Sequence, residues 1–227
     1  MREFKVPNLV FSSSCTVYGQ ADVLPVTEKT PRHEAESPYG NTKVMSEDII
    51  RDLMRVEPDM KALALRYFNP IGAHPTAFIG ELPNGVPNNL IPYLTQTAIG
   101  IRKELSVFGD DYNTPDGSPL RDYIDVVDLA GAHVVAIRRL LEKKNRENYE
   151  YFNIGTGKAL SVLEIIHAFE RATGVKVNYK VVGRRAGDIE KVWADTTLAN
   201  NELGWKAVTP IEETLANAWK WQKALDK

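Results

Sequence analysis

The sequence predicts an α/β protein with part of a doubly wound parallel sheet and a smaller lobe interleaved with it. A strand, a helix and a second strand follow one another between residues 7 and 67, which is the repeat of such folds. The 227 residues are 43% apolar, enough to bury a sizeable core. No linker or internal repeat separates the lobes, so we expect them to share stretches of the chain.

The first strand is predicted at Pro7–Phe11, where a short apolar run opens into a serine cluster. A helix is predicted over Pro38–Val56, because Ser37 can cap it and Pro38 suits its first position. Lys61–Tyr67 gives the second strand. The apolar face of the helix is predicted to comprise Val44, Ile49, Ile50 and Leu53.

A long Pro-, Gly- and Asn-rich stretch, Asn69–Asn89, predicts a functional loop, because irregular segments of this length are uncommon in compact domains. The remaining predictions follow in chain order: a helix over 89–101, strands at 105–108 and around Tyr123, a helix over 126–141, a strand at 151–154, a helix capped by Ser161 and ending near Arg171, a strand at 177–182, and an amphipathic helix over 210–225.

Composition argues against several classes of partner. The net charge is −2 and the basic residues are scattered, so nucleic acid is not expected. No apolar run approaches the roughly 20 residues that span a bilayer, so no membrane partner is expected. The single Cys15 allows no internal disulfide, and the four histidines lack metal-ligand spacing. We therefore predict a cytoplasmic protein without a metal site, in which Cys15 serves packing and His133 and His167 are structural or surface groups.

Tyr39 and Lys43 are four residues apart on the predicted helix and therefore share a face. A nearby ammonium stabilises a phenolate and lowers the tyrosine pKa, which would make Tyr39 a general base. Such pairs also occur on solvated helices without function. The context favours chemistry, because the serine cluster follows a strand at the end where open α/β sheets bind ligands.

Several ordered blocks resemble a known family. Ser12–Gly19 and Ser37–Lys43 together resemble the Ser-Tyr-Lys triad of extended short-chain dehydrogenase/reductases. Three further blocks are similar to UDP-galactose 4-epimerases in particular: Leu65–Pro75, Pro87–Pro92 and Asp116–Ile124. The similarity covers essentially the whole chain.

The resemblance implies a Rossmann-type sheet and a nucleotide-sugar-binding lobe. Residues 1–70 would be the C-terminal part of the NAD-binding domain and 71–227 mainly the UDP-sugar lobe, with a segment near 123–155 returning to the sheet. The implied reaction is reversible epimerisation of UDP-glucose and UDP-galactose at C4, through a 4-keto intermediate, with tightly bound NAD.

The resemblance also implies residue roles. The implied catalytic residues are Tyr39 as base, Lys43 as its partner and ribose ligand, and Ser14 beside the sugar 4-hydroxyl. Ser12 and Phe68 would join Tyr39 and Lys43 as cofactor neighbours. The positions matching UDP-sugar contacts are Ser14, Asn69, Asn89, Leu90, Phe108, Arg121, Tyr123, Arg185, Asp188 and Val192. The two arginines suit a pyrophosphate and Asp188 suits ribose hydroxyls. Val192 would lie beside the sugar C2 substituent and leave room for an N-acetyl group.

Relatives in this family would carry roughly 110 residues before Met1, including the strand, Gly-rich turn and helix that hold the dinucleotide. Two partner arrangements therefore stay open besides the UDP-hexose: a homodimer, or a missing N-terminal half supplied separately. We expect the isolated chain to be inactive or nearly so.

Two rival functions are weighed. A nucleotide-sugar 4,6-dehydratase is disfavoured, because related dehydratases carry acidic residues before Val-Tyr-Gly, where this chain has Cys15 and Thr16. A non-catalytic UDP-sugar-binding fragment stays open, and retention of NAD on purification separates it from the enzyme.

Overall fold

The computed structural model describes residues 1–185 and 187–225. Ten strands occur in chain order: β1 Asn8–Ser14, β2 Lys61–Tyr67, β3 Asn69–Ile71, β4 Leu105–Phe108, β5 Leu120–Arg121, β6 Tyr123–Asp125, β7 Tyr149–Ile154, β8 Leu160–Ser161, β9 Tyr179–Val182 and β10 Lys191–Val192. The α-helices are α1 Pro38–Val56, α2 Leu90–Ala98, α3 Val126–Leu141, α4 Val162–Thr173 and α5 Ile211–Leu225. Cys15–Tyr18 form a 3-10 turn and Ala199–Leu203 a π-helical turn. Within this described part, no helix is both long and apolar enough to cross a bilayer.

The chain divides into two compact units, each assembled from three stretches. The first unit comprises Met1–Phe68, Leu129–Gly157 and Val192–Lys206. The second comprises Asn69–Asp128, Lys158–Lys191 and Ala207–Lys227, of which 186, 226 and 227 lie outside the described residues. Whether the units correspond to the predicted cofactor and UDP-sugar parts stays a prediction.

The first unit is built on a parallel sheet in the order β1-β2-β7. β1 pairs with β2 from Asn8↔Lys61 to Ser14↔Tyr67, and β2 pairs with β7 from Ala62↔Tyr149 to Tyr67↔Ile154. The central strand is buried through Ala62–Arg66, as expected for a strand covered on both faces. The parallel pairing confirms the predicted α/β class.

Helix α1 begins where the sequence predicts. The Ser37 hydroxyl accepts a hydrogen bond from the Gly40 amide at 3.1 Å, and Pro38 occupies the first turn. The predicted apolar face is wrong in part, because Ile49 is exposed whereas Glu47 and Met54 are buried. Two residues along a helix correspond to about 200° of rotation, so Ile49 lies opposite the buried Glu47.

The second unit packs short sheets against three helices. β3 pairs with β6 and β4 with β9, both parallel, and β5 pairs with β8 antiparallel. Its core lies between α2, α4, α5 and these strands, and includes Leu94, Ile165, Phe169 and Leu215. Ser161 and Glu164 form a reciprocal capping box that starts α4.

Several boundaries differ from the sequence prediction, and strand β3 lies within the predicted loop 69–89. β1 continues to Ser14 because the serines pair with β2, which a search for apolar residues does not reveal. Helix α2 ends at Ala98 rather than Ile101, since Gly100 has a φ of 90°, outside the helical region. β9 begins at Tyr179 rather than Val177, because its partner β4 offers only four residues.

Candidate active site

Helix α1 places Tyr39 and Lys43 in its first two turns, on the helix face next to the end of β1. Close approach of the helix depends on Gly40, because a Cβ there would lie 3.3 Å from the Thr16 Cβ and 3.4 Å from the Ser37 hydroxyl oxygen. The Lys43 Nζ lies 5.5 Å from the centroid of the Tyr39 ring. The predicted pair therefore shares a face of the helix.

Three consecutive serines at the end of β1 each contact a different residue of α1. The backbone oxygen of Ser12 accepts a hydrogen bond from the Lys43 Nζ at 2.9 Å. The Ser13 hydroxyl donates to a carboxylate oxygen of Glu47 at 2.5 Å. The Ser14 side chain lies next to the Tyr39 phenol, where it favours the phenolate. The structure thus brings together Ser14, Tyr39 and Lys43, the three predicted catalytic residues.

The environment of Tyr39 differs from expectation in one respect. Burial raises the pKa of the Tyr39 phenol above its ordinary value, and Tyr67 acts in the same direction. The Ser14 hydroxyl opposes this rise of the pKa without reversing it. The predicted lowering of this pKa by Lys43 is wrong for this structure, because the ammonium is bonded to Ser12 and loss of solvent dominates.

Ser12 has a second partner that the sequence did not reveal. His133 of α3 places its Nδ1 3.0 Å from the Leu129 carbonyl oxygen, which can only accept a hydrogen bond. The Nε2 of neutral His133 therefore accepts from the Ser12 hydroxyl at 3.2 Å. The imidazole also lies against Tyr67, with ring centroids 6.2 Å apart. His133 is thus a structural group next to a predicted cofactor residue.

A buried ion pair anchors α1 beyond the turns that carry Tyr39 and Lys43. The Arg66 guanidinium donates to both carboxylate oxygens of Glu47, at 2.9 and 2.6 Å. The Glu47 side chain is 0% exposed and that of Arg66 2%. Burial opposes ionisation of Glu47, but the bonds from Arg66, Ser13 and Arg32 outweigh it and hold the pKa of the carboxyl below its ordinary value. The only sequence signal was an acidic residue on the helix face that carries Tyr39 and Lys43.

The second unit contains a cavity of about 450 Å³. Six predicted UDP-sugar residues that line it are Asn69, Asn89, Leu90, Phe108, Arg121 and Tyr123. Arg185 and Asp188, which are also predicted UDP-sugar residues, line it too. Glu81, Ile91 and Ser106 line it as well, although the sequence did not indicate them. The volume suits a nucleotide-sized ligand, and the wall carries two arginines together with the carboxylates of Glu81 and Asp188.

The polar groups of this cavity are arranged by a few specific contacts. The Arg121 guanidinium donates to the Asp188 carboxylate, and its other terminal nitrogen donates to the Leu120 carbonyl oxygen at 2.8 Å. Arg185 is exposed, while Tyr123 is buried and its hydroxyl has a raised pKa because of desolvation. Phe108 is 40% exposed and therefore offers an aromatic face to the cavity rather than to the core.

The other predicted site residues lie in the first unit. Phe68 is buried, and its amide donates to the Ile154 carbonyl oxygen at 3.2 Å. Val192 is buried at 4% exposure. Cys15 is buried in the 3-10 turn. Among residues 1–185 and 187–225, no group of His, Cys, Asp or Glu side chains is arranged to hold a metal ion.

Comparison with known families decides the relationship. A family model described as GDP-mannose 4,6 dehydratase matches residues 1–218. The chain belongs to this family. Within the GDP-mannose 4,6 dehydratase family, it is 50% identical over 223 residues to UDP-glucose 4-epimerase of Mus musculus, covering 98% of this chain and 63% of that protein. It is 52% identical over 213 residues to UDP-glucose 4-epimerase 1 of Oryza sativa subsp. japonica, covering 94% and 60%.

Solved structures of the family agree. A UDP-glucose 4-epimerase from Stenotrophomonas maltophila, with bound NAD and formylated UDP-arabinopyranose, superposes with a TM-score of 0.95 at 48% identity, covering 100% of this chain and 66% of that one. The Bifidobacterium longum UDP-glucose 4-epimerase, in complex with NAD+ and UDP, gives 0.93 at 45% identity, covering 99% and 66%. The predicted resemblance to these epimerases is confirmed. The chain spans 60 to 65% of the length of the first curated relatives it matches.

Proposed function

We propose that this chain carries the catalytic and UDP-sugar-binding parts of an NAD-dependent enzyme that interconverts UDP-glucose and UDP-galactose at C4. The observation that carries the proposal is the placement of the Tyr39 phenol beside Ser14 and Lys43 at the carboxyl end of β1. The similarity to UDP-glucose 4-epimerases at about half identity supports the same reaction.

In this proposal Tyr39 exchanges the proton of the sugar 4-hydroxyl, and Ser14 holds that hydroxyl in place. Lys43 fixes the geometry: one of its three donors is committed to the Ser12 carbonyl oxygen, which points the ammonium along the end of β1. Loss of the hydroxyl proton to Tyr39 together with the C4 hydride, for which NAD would be the acceptor, would give the 4-keto sugar. Return of the hydride to the opposite face of C4, with the proton returned to oxygen, would give the other epimer.

The residues at the end of β1 fit a nicotinamide nucleotide. Lys43 and Tyr39 offer donors for ribose hydroxyls, and Ser12 and Phe68 lie on or just beyond the ends of parallel strands, where such ligands bind. NAD, when bound, supplies the hydride acceptor and a permanent positive charge. Such a charge would favour the phenolate of Tyr39, whose pKa the described residues leave raised.

The cavity of the second unit is proposed to hold UDP. Arg121 and Arg185 would neutralise the pyrophosphate, and Phe108 would pack against the base. Asp188 would accept from the ribose hydroxyls, with Asn69, Asn89, Leu90 and Tyr123 completing the wall. Val192 is proposed to lie beside the sugar C2 substituent. UDP is therefore bound by many groups and the sugar by few, which suits a hexose that must present both faces.

The family description names a dehydratase, and the residues of this chain argue against that reaction. Dehydration requires a group that removes the C5 proton and an acid that protonates the departing 6-hydroxyl. The 3-10 turn that follows Ser14 contains Cys15 and Thr16 and has no acidic residue in its first turn. Epimerisation needs chemistry at C4 alone, where Tyr39 would exchange the proton and NAD would be the hydride acceptor.

The proposal is tested by supplying the N-terminal part. The chain would be assayed for conversion of UDP-galactose with NAD, alone and mixed with a Gly-rich piece of roughly 110 residues from the Stenotrophomonas maltophila enzyme. We expect turnover only in the mixture, and almost none when Tyr39→Phe replaces the wild-type chain. UDP binding would be measured in parallel by calorimetry.

The outcomes separate the candidates. Tyr39-dependent turnover supports the epimerase and makes a homodimer or a second polypeptide the partner to seek. UDP binding without turnover in the mixture supports a binding fragment instead. Neither binding nor turnover overturns both. A cytoplasmic location is proposed from the single cysteine and is tested by cell fractionation.

A further inference from the structure

The chain between β9 and β10 carries two of the proposed UDP-binding residues, Arg185 and Asp188. Two glycines flank Arg185: Gly183 follows β9, and Gly187 has a φ of 73°, in the left-handed region. Glycine allows the backbone many conformations, so local preferences alone do not fix where this stretch lies. Asp188 is held by its ion pair with Arg121, whereas Arg185 is exposed. The position of Arg185 therefore depends on the contacts of its neighbours.

Arg184, the residue before Arg185, is bound to the loop that follows β4. Its Nε donates to the Asp111 carboxylate at 2.7 Å, and a terminal nitrogen donates to the Asp111 backbone oxygen, also at 2.7 Å. Its guanidinium carbon lies 4.1 Å from the centroid of the Tyr112 ring. These contacts fix the orientation of one planar group, which an ammonium could not reproduce.

The loop that receives Arg184 is held by contacts of its own. The Tyr112 amide donates to the Gly117 carbonyl oxygen at 3.1 Å, and the Tyr112 side chain is buried. Gly117 lies so close to Asp110 that an added Cβ would overlap the Asp110 carbonyl oxygen. A Cβ on Gly109 would overlap the Tyr112 ring and lie 3.2 Å from the Arg184 Cγ. The loop therefore offers Arg184 a fixed partner.

We propose that Arg184 and Asp111 are positioning residues: their bond holds the chain beside Arg185 against the loop after β4, which places the Arg185 guanidinium for the phosphates of a nucleoside diphosphate. The inference rests on the proposed UDP site and adds two residues that lie outside the lining of the cavity. By charge alone, Asp111 repels an anionic ligand. Loss of Asp111 should therefore strengthen binding if charge dominates and weaken it if the placement of Arg185 dominates.

The experiment measures UDP binding to the 227-residue chain by calorimetry, with thermal unfolding of each variant. Arg184→Lys keeps the charge and removes the planar fork, so UDP affinity falls about tenfold, the scale of one hydrogen bond to a charged group. Asp111→Ala removes a repelling charge and still lowers UDP affinity to a similar extent. Affinity for uridine, which has no phosphate, is unchanged in both variants, because Asp188 keeps its bond to Arg121.

A second exposed ion pair of the same unit provides the matched control. The Arg171 guanidinium lies 3.3 Å from the Glu212 carboxylate, and neither residue lines the cavity. Arg171→Lys and Glu212→Ala make the same chemical changes as the two test substitutions. We expect both to leave UDP affinity unchanged.

A double substitution tests the route through Arg185. Once Arg185→Ala is present, Arg184→Lys causes no further loss of UDP affinity, because there is no guanidinium left to place. The proposal is overturned if Arg184→Lys or Asp111→Ala binds UDP as tightly as wild type, or if uridine affinity falls in parallel. It is also overturned if the loss caused by Arg184→Lys is undiminished in the Arg185→Ala background. Failure of wild type to bind UDP would instead overturn the proposed function.

Discussion

Replacement of Glu47 by glutamine tests the anchoring of helix α1, which carries Tyr39 and Lys43. The carboxylate is fully buried and accepts from Arg66, Ser13 and Arg32. Glutamine preserves the shape and removes the charge. Arg66, itself 2% exposed, would then keep a positive charge inside the first unit without its counter-ion.

The expected cost follows from that burial. Removal of one partner of a buried ion pair costs about 3 to 5 kcal/mol, because the remaining charge stays desolvated. Stacking of Arg66 over Tyr151, with the guanidinium carbon 4.0 Å from the ring centroid, and its bond to the Tyr18 hydroxyl at 3.1 Å offset part of this. We therefore expect a loss near the lower end, about 3 kcal/mol in the free energy of unfolding.

Urea unfolding at neutral pH of wild type, Glu47→Gln, Arg66→Met and the double variant measures the effect. The double variant should lose less stability than the sum of the single losses, by at least about 1 kcal/mol, because it leaves no uncompensated charge. Since the folded pKa of Glu47 is lowered, its contribution is present above the unfolded pKa and is lost as pH falls through the folded one. Single losses under about 1 kcal/mol, or strict additivity, would refute this reasoning.

Three further predictions concern catalysis, specificity and pH. In the complemented enzyme, Tyr39→Phe lowers kcat about a hundredfold or more and leaves UDP affinity nearly unchanged; equal losses of both would make Tyr39 structural. We expect the complemented enzyme to use UDP-N-acetylglucosamine as well as UDP-glucose. Val192→Tyr should lower the ratio of kcat/KM for the N-acetyl sugar to kcat/KM for UDP-glucose about tenfold, because the larger side chain fills the space near C2. An unchanged ratio would contradict the role of Val192. Burial raises the pKa of Tyr18 to about 12. The stability that the protonated hydroxyl contributes is therefore fully present below the unfolded pKa of 10.0. About 2 to 3 kcal/mol of it is lost as the pH rises to 12. Urea unfolding between those pH values should show a shallower decline in Tyr18→Phe, and an identical decline would speak against it.

Local signals predicted the helices well, because their ends are set by neighbouring residues. Ser37 with Pro38 and Ser161 with Glu164 mark helix starts that the structure confirms. The serines of β1 were predicted as a loop because their strand conformation comes from pairing with β2, residues distant in sequence. The end of α2 was set too late because the conformation of Gly100 was not evident from the sequence.

The candidate site was likewise predictable from the sequence only in part. The Ser-Tyr-Lys spacing is visible in the sequence, and the three residues meet in the structure. Glu47 and Arg66 are 19 residues apart with no periodic relation, so only the folded sheet brings them together. The pKa of Tyr39 was predicted in the wrong direction because spacing shows that Lys43 is near but not that the phenol loses solvent.

The three serines at the end of β1 have unequal tolerance of sequence change. Position 12 binds Lys43 through its backbone oxygen, so any residue that keeps the strand preserves that contact, and only the bond to His133 needs a hydroxyl. Position 13 uses its hydroxyl on Glu47, in a fully buried place where a larger side chain has no room. A substitution at position 12 that keeps the strand is therefore expected to keep the Lys43 contact, whereas position 13 requires a small residue with a hydroxyl, although neither of these two side chains takes part in the proposed proton transfer.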